Sequence, residues 1–158
     1  MTRPWKPSVT VAAVVERDGR FLMVEEETSE GIRLNQPAGH LDADESLVQA
    51  ASREAMEETA HPFRPEALLG VYIARSPSSD EPDGVTYVRF AFTGELGQAL
   101  PQRALDHGIL RAVWLTADEI RSRAAEHRSP LVMKCVDDYL SGRRYPLDLV
   151  YTHASALA

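Results

Sequence analysis

A glycine loop that runs into a helix loaded with carboxylates constrains this chain more than any other feature. Gly39-His40-Leu41-Asp42-Ala43-Asp44-Glu45 is followed by Arg53-Glu54-Ala55-Met56-Glu57-Glu58, a spacing of G-x5-E-x7-RE-x2-EE. On a helix Glu54 lies three residues from Glu57 and four from Glu58, so all three project from one face. At about 1.5 Å rise per residue they span roughly 6 Å of helix axis. Like charges that close repel and weaken a helix, which predicts that a cation belongs among them. Hard divalent cations take oxygen ligands, and Mg2+ in particular is held by a few carboxylates together with water and substrate phosphates. A bare charge run reads as a solvated face. Six specified positions, each with a usage of roughly 7%, coincide by chance only about once in 10^7 placements. Arg53 faces Glu57 at i, i+4 with the cation N-terminal, the poorer orientation for helix stability. That favours a role in orienting a ligand carboxylate over one in supporting the helix.

The remaining composition narrows the setting. A chain of 158 residues, 44% hydrophobic and 26% charged, suits one domain over 1–158 with a proper core. The net charge of −7 argues against binding bulk nucleic acid or an anionic membrane, which need basic surfaces. An acidic protein that handles phosphates needs local cations, so a metal site reconciles charge with chemistry. The single Cys135 excludes an internal disulfide and suits a reducing cytoplasm. Val9 to Val15 is apolar and follows Arg3 and Lys6, but it is short for a signal-peptide core and alternates into Glu16-Arg17-Asp18-Gly19. A strand entering an Asp-Gly turn is expected there. No apolar run approaches the ~20 residues that span a bilayer.

Strands are expected at 8–16 and 20–27, paired through Asp18-Gly19, with 28–45 a loop containing Pro37 and Gly39. Ser46 with Gln49 forms a capping-box pattern, and Leu47, Val48, Ala51 and Ala55 supply the buried side of the helix. Strands follow near 67–75 and 85–96, separated by the loop Ser76 to Gly84. A second loop, 97–108, precedes a strand over 109–115 with Trp114 in the core. Thr116 and Glu119 open a short helix. Ser129, Pro130 and Gly142 bracket a last one, in whose apolar stripe Cys135 serves as packing. Strands and helices in this order predict an α/β (α+β) architecture.

The Gly39–Glu58 segment closely resembles the signature of the Nudix hydrolases, a family that cleaves nucleoside diphosphates linked to a further group. The family pattern continues with a variable residue, a glycine and an aliphatic residue. This chain has Ala60 and His61 at the last two places. A glycine there would end the helix in a left-handed conformation; alanine costs of order 1 kcal/mol, unless the helix ends differently with the help of Pro62. Asn35 to Leu41, Arg89 to Phe92, Arg128 to Val132 and Ser141 to Leu147 are also similar to a bacterial phosphatase branch of the family, in pieces from about residue 8 to about 150.

The resemblance implies a Nudix fold, a mixed β-sheet between helices. It implies Glu54, Glu57, Glu58 and the Gly39 carbonyl as metal ligands, Glu45 as support for the loop-to-helix geometry, and Arg53 as the residue that holds a glutamate in place. Mg2+ is the implied cofactor, with Mn2+ as substitute. Glu54 is a candidate general base, and Asp106 the main candidate outside the helix, though it also reads as a turn aspartate. His40 either meets phosphate or completes the loop. Asn35 and Gln36 carry amides suited to a base or sugar edge, or to tying loops together. Arg33, Tyr87 and Arg89 could contact phosphate or stack on a ring, while Arg143 and Arg144 read as surface residues. The expected substrate is a small pyrophosphate or nucleotide, with no nucleic-acid or membrane partner and a monomeric or small homo-oligomeric state. The leading expectation is a phosphatase acting on nucleoside tri- and diphosphates and thiamine-related pyrophosphates with release of orthophosphate. Alternatives are a house-cleaning pyrophosphatase that releases pyrophosphate or a nucleoside monophosphate, a non-catalytic nucleotide-binding module, and an isomerase on the same scaffold. Three intact carboxylates speak against the module, and the position of Cys135 against a catalytic thiol.

Overall fold

The computed structural model describes residues 2–157. The chain runs β1 (Ser8–Ala13), β2 (Glu16–Arg17), β3 (Arg20–Thr28), β4 (Gly31–Asn35), β5 (Ala38–His40), α1 (Leu47–Thr59), β6 (Phe63–Ser76), β7 (Val85–Leu96), β8 (Ile109–Thr116), α2 (Ala117–Ser122), α3 (Leu131–Leu140) and β9 (Tyr145–Pro146). Two sheets result. One has the order β5-β1-β7-β6-β9, with β1 and β7 parallel and the other pairs antiparallel. In the other, β3 is the spine: β2 pairs with its first residues, β4 with its last, and β8 also pairs with it. The expected mixed α+β architecture is what forms.

Side-chain alternation explains why two cores are needed. Successive strand residues point to opposite faces. Val11, Ala13, Val15 and Leu22 pack with Ala50, Ala51 and Ala55 of α1 and with Phe63, Leu68 and Phe92. Ala12, Val14, Phe21 and Met23 pack on the other side with Ile120 of α2 and Leu131, Val132, Cys135 and Val136 of α3. The sheets therefore lie between α1 on one side and α2 with α3 on the other. Among the described residues no helix is long and apolar enough to cross a membrane.

The Asp18-Gly19 turn forms, both residues having positive φ as a tight hairpin requires, but it joins β2 to β3. The expected pairing of residues 8–13 with 20–27 does not occur. The chain crosses between sheets at Val14 and Val15, where the Val14 N–H donates to Phe92 O (2.8 Å) and Val15 O accepts from the Leu22 N–H (3.0 Å). Pairing β1 with β7 instead buries both faces of β1, which its run of apolar residues favours. The expected loop 28–45 is likewise corrected: it contains β4 and β5, and the latter pairs with β1 at Thr10↔His40, Val11↔Gly39 and Ala12↔Ala38.

The helix ends follow the local chemistry. Ser46 and Gln49 form a complete capping box, as do Thr116 and Glu119, and Ser129 Oγ accepts the Leu131 N–H at 3.1 Å. Ala60 closes α1 in the left-handed region (φ 59°, ψ 23°), its N–H donating to Met56 O. The alanine thus adopts the conformation that suits glycine. Next to it, His61 is buried edge-on against Trp114, ring centroids 6.2 Å apart.

Candidate active site

The carboxylate-bearing end of α1 forms one wall of a cleft of about 500 Å³. Glu54 and Glu58 are 7% exposed, so the acidic face is a buried one. The capping box fixes where α1 starts, and its alanines seat the helix on β1 and β6. Glu54 is thereby laid over Gly39: a methyl group at position 39 would overlap the Glu54 carboxyl. The Ala38 N–H donates to Glu58 Oε1 at 2.9 Å. The glycine is needed here for close approach.

Arg53 organises this wall. Nε and Nη2 grip the two oxygens of Glu45 at 3.0 and 2.7 Å, and Nη2 also donates to His40 O at 2.9 Å. Nη1 donates to Glu54 Oε1 (2.8 Å) and Glu57 Oε2 (3.1 Å). A planar fork with five donors makes all five of these bonds at once; a lysine, with three donors, cannot. The guanidinium holds the Glu45 carboxyl below its ordinary value, aided by the Asp42 N–H.

The other acids are pushed the opposite way. Burial raises Glu54, opposed by Arg53 and reinforced by Glu57 and Asp106. Glu58 is pushed up to about 8, first by burial and then by Glu54, Glu26 and Asp106, with the Ala38 N–H opposing. Asp106 therefore faces this cluster, and its own N–H, donating to Glu57 O at 2.8 Å, ties its loop to α1. So many buried acids share one arginine that they must hold protons or a cation. The oxygen-only donor set, the room left by Gly39 and the excess negative charge fit a hard divalent ion. With Glu54 and Glu57 engaged by Arg53, no group of three or more His, Cys, Asp or Glu among the described residues forms a ready-made ion cage.

The far wall is built from distant segments. Arg89 of β7 is 5% exposed and lines the cleft. Its Nη1 donates to Gln36 Oε1 and its Nη2 to Asn35 Oδ1, both at 2.9 Å. Gln36 is 1% exposed, and its Nε2 donates to Val132 O at 2.8 Å. The structure places Gln36 behind Arg89 as a brace, not on the cleft wall, correcting its expected contact with substrate. Asn35, Tyr87 and His40 do line the cleft, with the His40 and Tyr87 rings 6.1 Å apart. Arg33 does not: it lies outside, near Glu30. Arg143 and Arg144 are exposed, the latter stacked on Tyr139 at 4.1 Å. Trp114 packs partly buried against the α1-side core, and Cys135 is fully buried.

Among the lining residues that escaped the sequence reading, two are charged and meet each other. Glu26 and Arg128 approach within 3.2 Å, yet Glu26 Oε1 is buried without a hydrogen bond. Burial pushes the Glu26 carboxyl up, against the pull of Arg128, Asn35 and Arg89. Nothing in the run Glu25-Glu26-Glu27 marks its middle member. A register irregularity between Glu25 and Glu26 leaves Glu25 paired with Arg111 and Arg123 while Glu26 lines the cleft.

Fold and site define a class. Residues 4–135 match the family model for the NUDIX domain, and the chain belongs to the Nudix family and is a Nudix hydrolase. It is 43% identical over 146 residues to phosphatase NudJ of Escherichia coli (strain K12), covering 92% of each chain. The same protein of Shigella boydii is equally similar. Among solved structures, a NUDIX hydrolase from Nitrosomonas europaea is 51% identical, with 94% of this chain and 99% of that one covered and a TM-score of 0.88. The protein is thus a NudJ-like member of a family whose enzymes generally use divalent metal ions and act on small nucleotide-like substrates.

Proposed function

We propose that this protein is a Mg2+-dependent phosphatase. Its substrates are nucleoside tri- and diphosphates and thiamine-related pyrophosphates (hydroxymethylpyrimidine pyrophosphate, thiamine pyrophosphate), cleaved with release of orthophosphate. The observation that carries this reading is the buried acid wall, in which Arg53 orders Glu45, Glu54 and Glu57 while Glu58 is raised to about 8. Glu54, Glu57, Glu58 and the Gly39 carbonyl would hold the ion, with Mn2+ as a substitute. When bound, Mg2+ supplies charge neutralisation on phosphate oxygens and a more acidic water.

The chain's own residues do the rest. The water oxygen bonds to the terminal phosphorus as the bridging P–O bond breaks, and the bridging oxygen leaves with the electron pair on the shortened phosphate. The proton from water passes to a carboxylate: Glu54 is the candidate, fixed by Arg53 and close beneath Gly39, and Asp106 is the alternative facing the same cluster. Arg53 keeps its carboxylates from swinging apart, and positioning of this kind supplies much of the catalysis in phosphoryl transfer. The lone free thiol, buried at Cys135, is in keeping with a reducing cytoplasm.

The test is a panel of nucleotides and thiamine-pathway pyrophosphates incubated with Mg2+, each product identified by mass. Orthophosphate as the first product supports the reading. Pyrophosphate or a nucleoside monophosphate would assign the protein to a house-cleaning pyrophosphatase instead, and no hydrolysis of any phosphoanhydride would refute it.

A further inference from the structure

Arg89 has an unusual position for a cation. It is 5% exposed, and a buried charge is costly unless paired. Yet its hydrogen-bond partners are neutral: the amides of Asn35 and Gln36, and Cys135 Sγ at 3.8 Å. Cys135 brings no charge, since burial pushes its thiol up. Glu26, the acid whose charge is felt at Arg89, already lies 3.2 Å from Arg128. Two guanidinium groups thus share one carboxylate on this wall, and the frame around Arg89 is rigid because Gln36 is anchored to the α3 backbone at Val132.

The sheet register gives the scale. Arg89 pairs with Thr10, and Thr10 pairs with His40, across β7, β1 and β5. Directly opposed residues share a face, and these three all line the cleft. Two strand spacings, roughly 10 Å, separate the Arg89 row from the Gly39-His40 segment beside the carboxylates. An arginine side chain and one phosphoryl group bridge that distance.

Resting on the phosphatase reading above, we infer that Arg89, assisted by Arg128, grips the free terminal phosphoryl group of the substrate opposite the acid wall, and so selects diphosphates with an uncapped end. A guanidinium fork matches the oxygens of a phosphomonoester terminus bidentately. A terminus esterified to a further group has lost one of those oxygens and a charge. The same contact favours attack at the terminal phosphorus, because the donors face the oxygens on which charge gathers there.

The experiment measures binding by calorimetry, with Mg2+ present, of two non-hydrolysable α,β-methylene nucleoside diphosphates: one with a free terminal phosphoryl, one with that phosphoryl as its methyl ester. The parent should prefer the free-ended ligand. Arg89→Gln should weaken that ligand by roughly 10²-fold and change the capped one little, so that the two bind alike. Arg89→Lys should recover part of the loss. If Arg89→Gln does not fold, Arg128→Gln, altered at an exposed side chain, must show the same selective loss at roughly 10-fold. Equal weakening of both ligands, no weakening of either, or no preference in the parent would overturn the inference. A parent that shows the preference but hydrolyses no phosphoanhydride sinks the phosphatase reading and leaves the grip standing.

Discussion

The two walls of the cleft carry opposite charge and are built on opposite plans. The acid wall is local: Glu54, Glu57 and Glu58 lie within five residues of one helix, and Arg53 of the same helix orders Glu54 and Glu57. The basic wall is assembled from afar, with Arg89 from β7, Arg128 from the turn before α3, and braces at Asn35 and Gln36. The one arginine of that helix is taken up by its glutamates, so the opposing cations of this cleft come from other segments. Chemistry common to a family suits the local wall, and choice among substrates suits the assembled one.

The sharpest way to break this comparison is to remove acids one at a time. Glu54→Gln, Glu57→Gln and Glu58→Gln should each lower turnover at least roughly 10²-fold with the fold intact. Steady-state rates near the parent's for all three would strip the acid wall of its role. Gly39→Ala is next in size. The added methyl has to displace the Glu54 carboxyl, and kcat should fall roughly 10- to 10²-fold while circular dichroism stays unchanged. An unaltered kcat would mean that the seat beneath Glu54 does not matter.

Stability against pH probes the acid wall without any assay of activity. Glu58, raised to about 8 in the folded chain from an ordinary 4.5, binds a proton that the unfolded chain releases. Its contribution is full below pH 4.5 and is lost as pH rises through 8. Glu45 is shifted down and acts only below about pH 4.5. His61, lowered by burial, costs stability only as pH drops below about 6.5. Between pH 6.5 and 8 in chelator, Tm should therefore fall with rising pH, and Glu58→Gln should flatten that slope. Saturating Mg2+ should raise Tm and abolish the slope as cation replaces proton. A level Tm in chelator that Mg2+ does not move counts against a cation site. The smallest effect belongs to Ala60→Gly. Relief of the left-handed alanine is worth up to about 1 kcal/mol, less the buried methyl and the freer unfolded chain. Tm should rise by at most about 2–4 °C with unchanged kcat, and a lowered Tm would show that the strain at Ala60 is smaller than what its buried methyl and the stiffer unfolded chain contribute.

Particular residues mark what was legible. The two capping boxes at Ser46 and Thr116, the Asp18-Gly19 turn and the carboxylate face of α1 all depend on groups within four residues of each other, so spacing alone announces them; at α3 the N-cap is Pro130, one residue past the expected Ser129. The partner of β1 was not legible. A strand with apolar residues on both faces pairs as readily with a neighbour in sequence as with β7, some eighty residues on, and only burial on both sides decides. Gln36 and Arg33 were candidates with the right chemistry at positions that turned out to be behind the wall and outside the cleft.

What the amino-acid order determined unaided is the acid face: helical periodicity places Glu54, Glu57 and Glu58 together whatever the rest of the chain does. Which of Glu25, Glu26 and Glu27 enters the cleft, which arginine is buried among amides, and which glutamine braces it depend on strand register and on packing between two sheets. Those are long-range choices, settled by which side chains the cores can bury, and they exist only once the whole chain has folded.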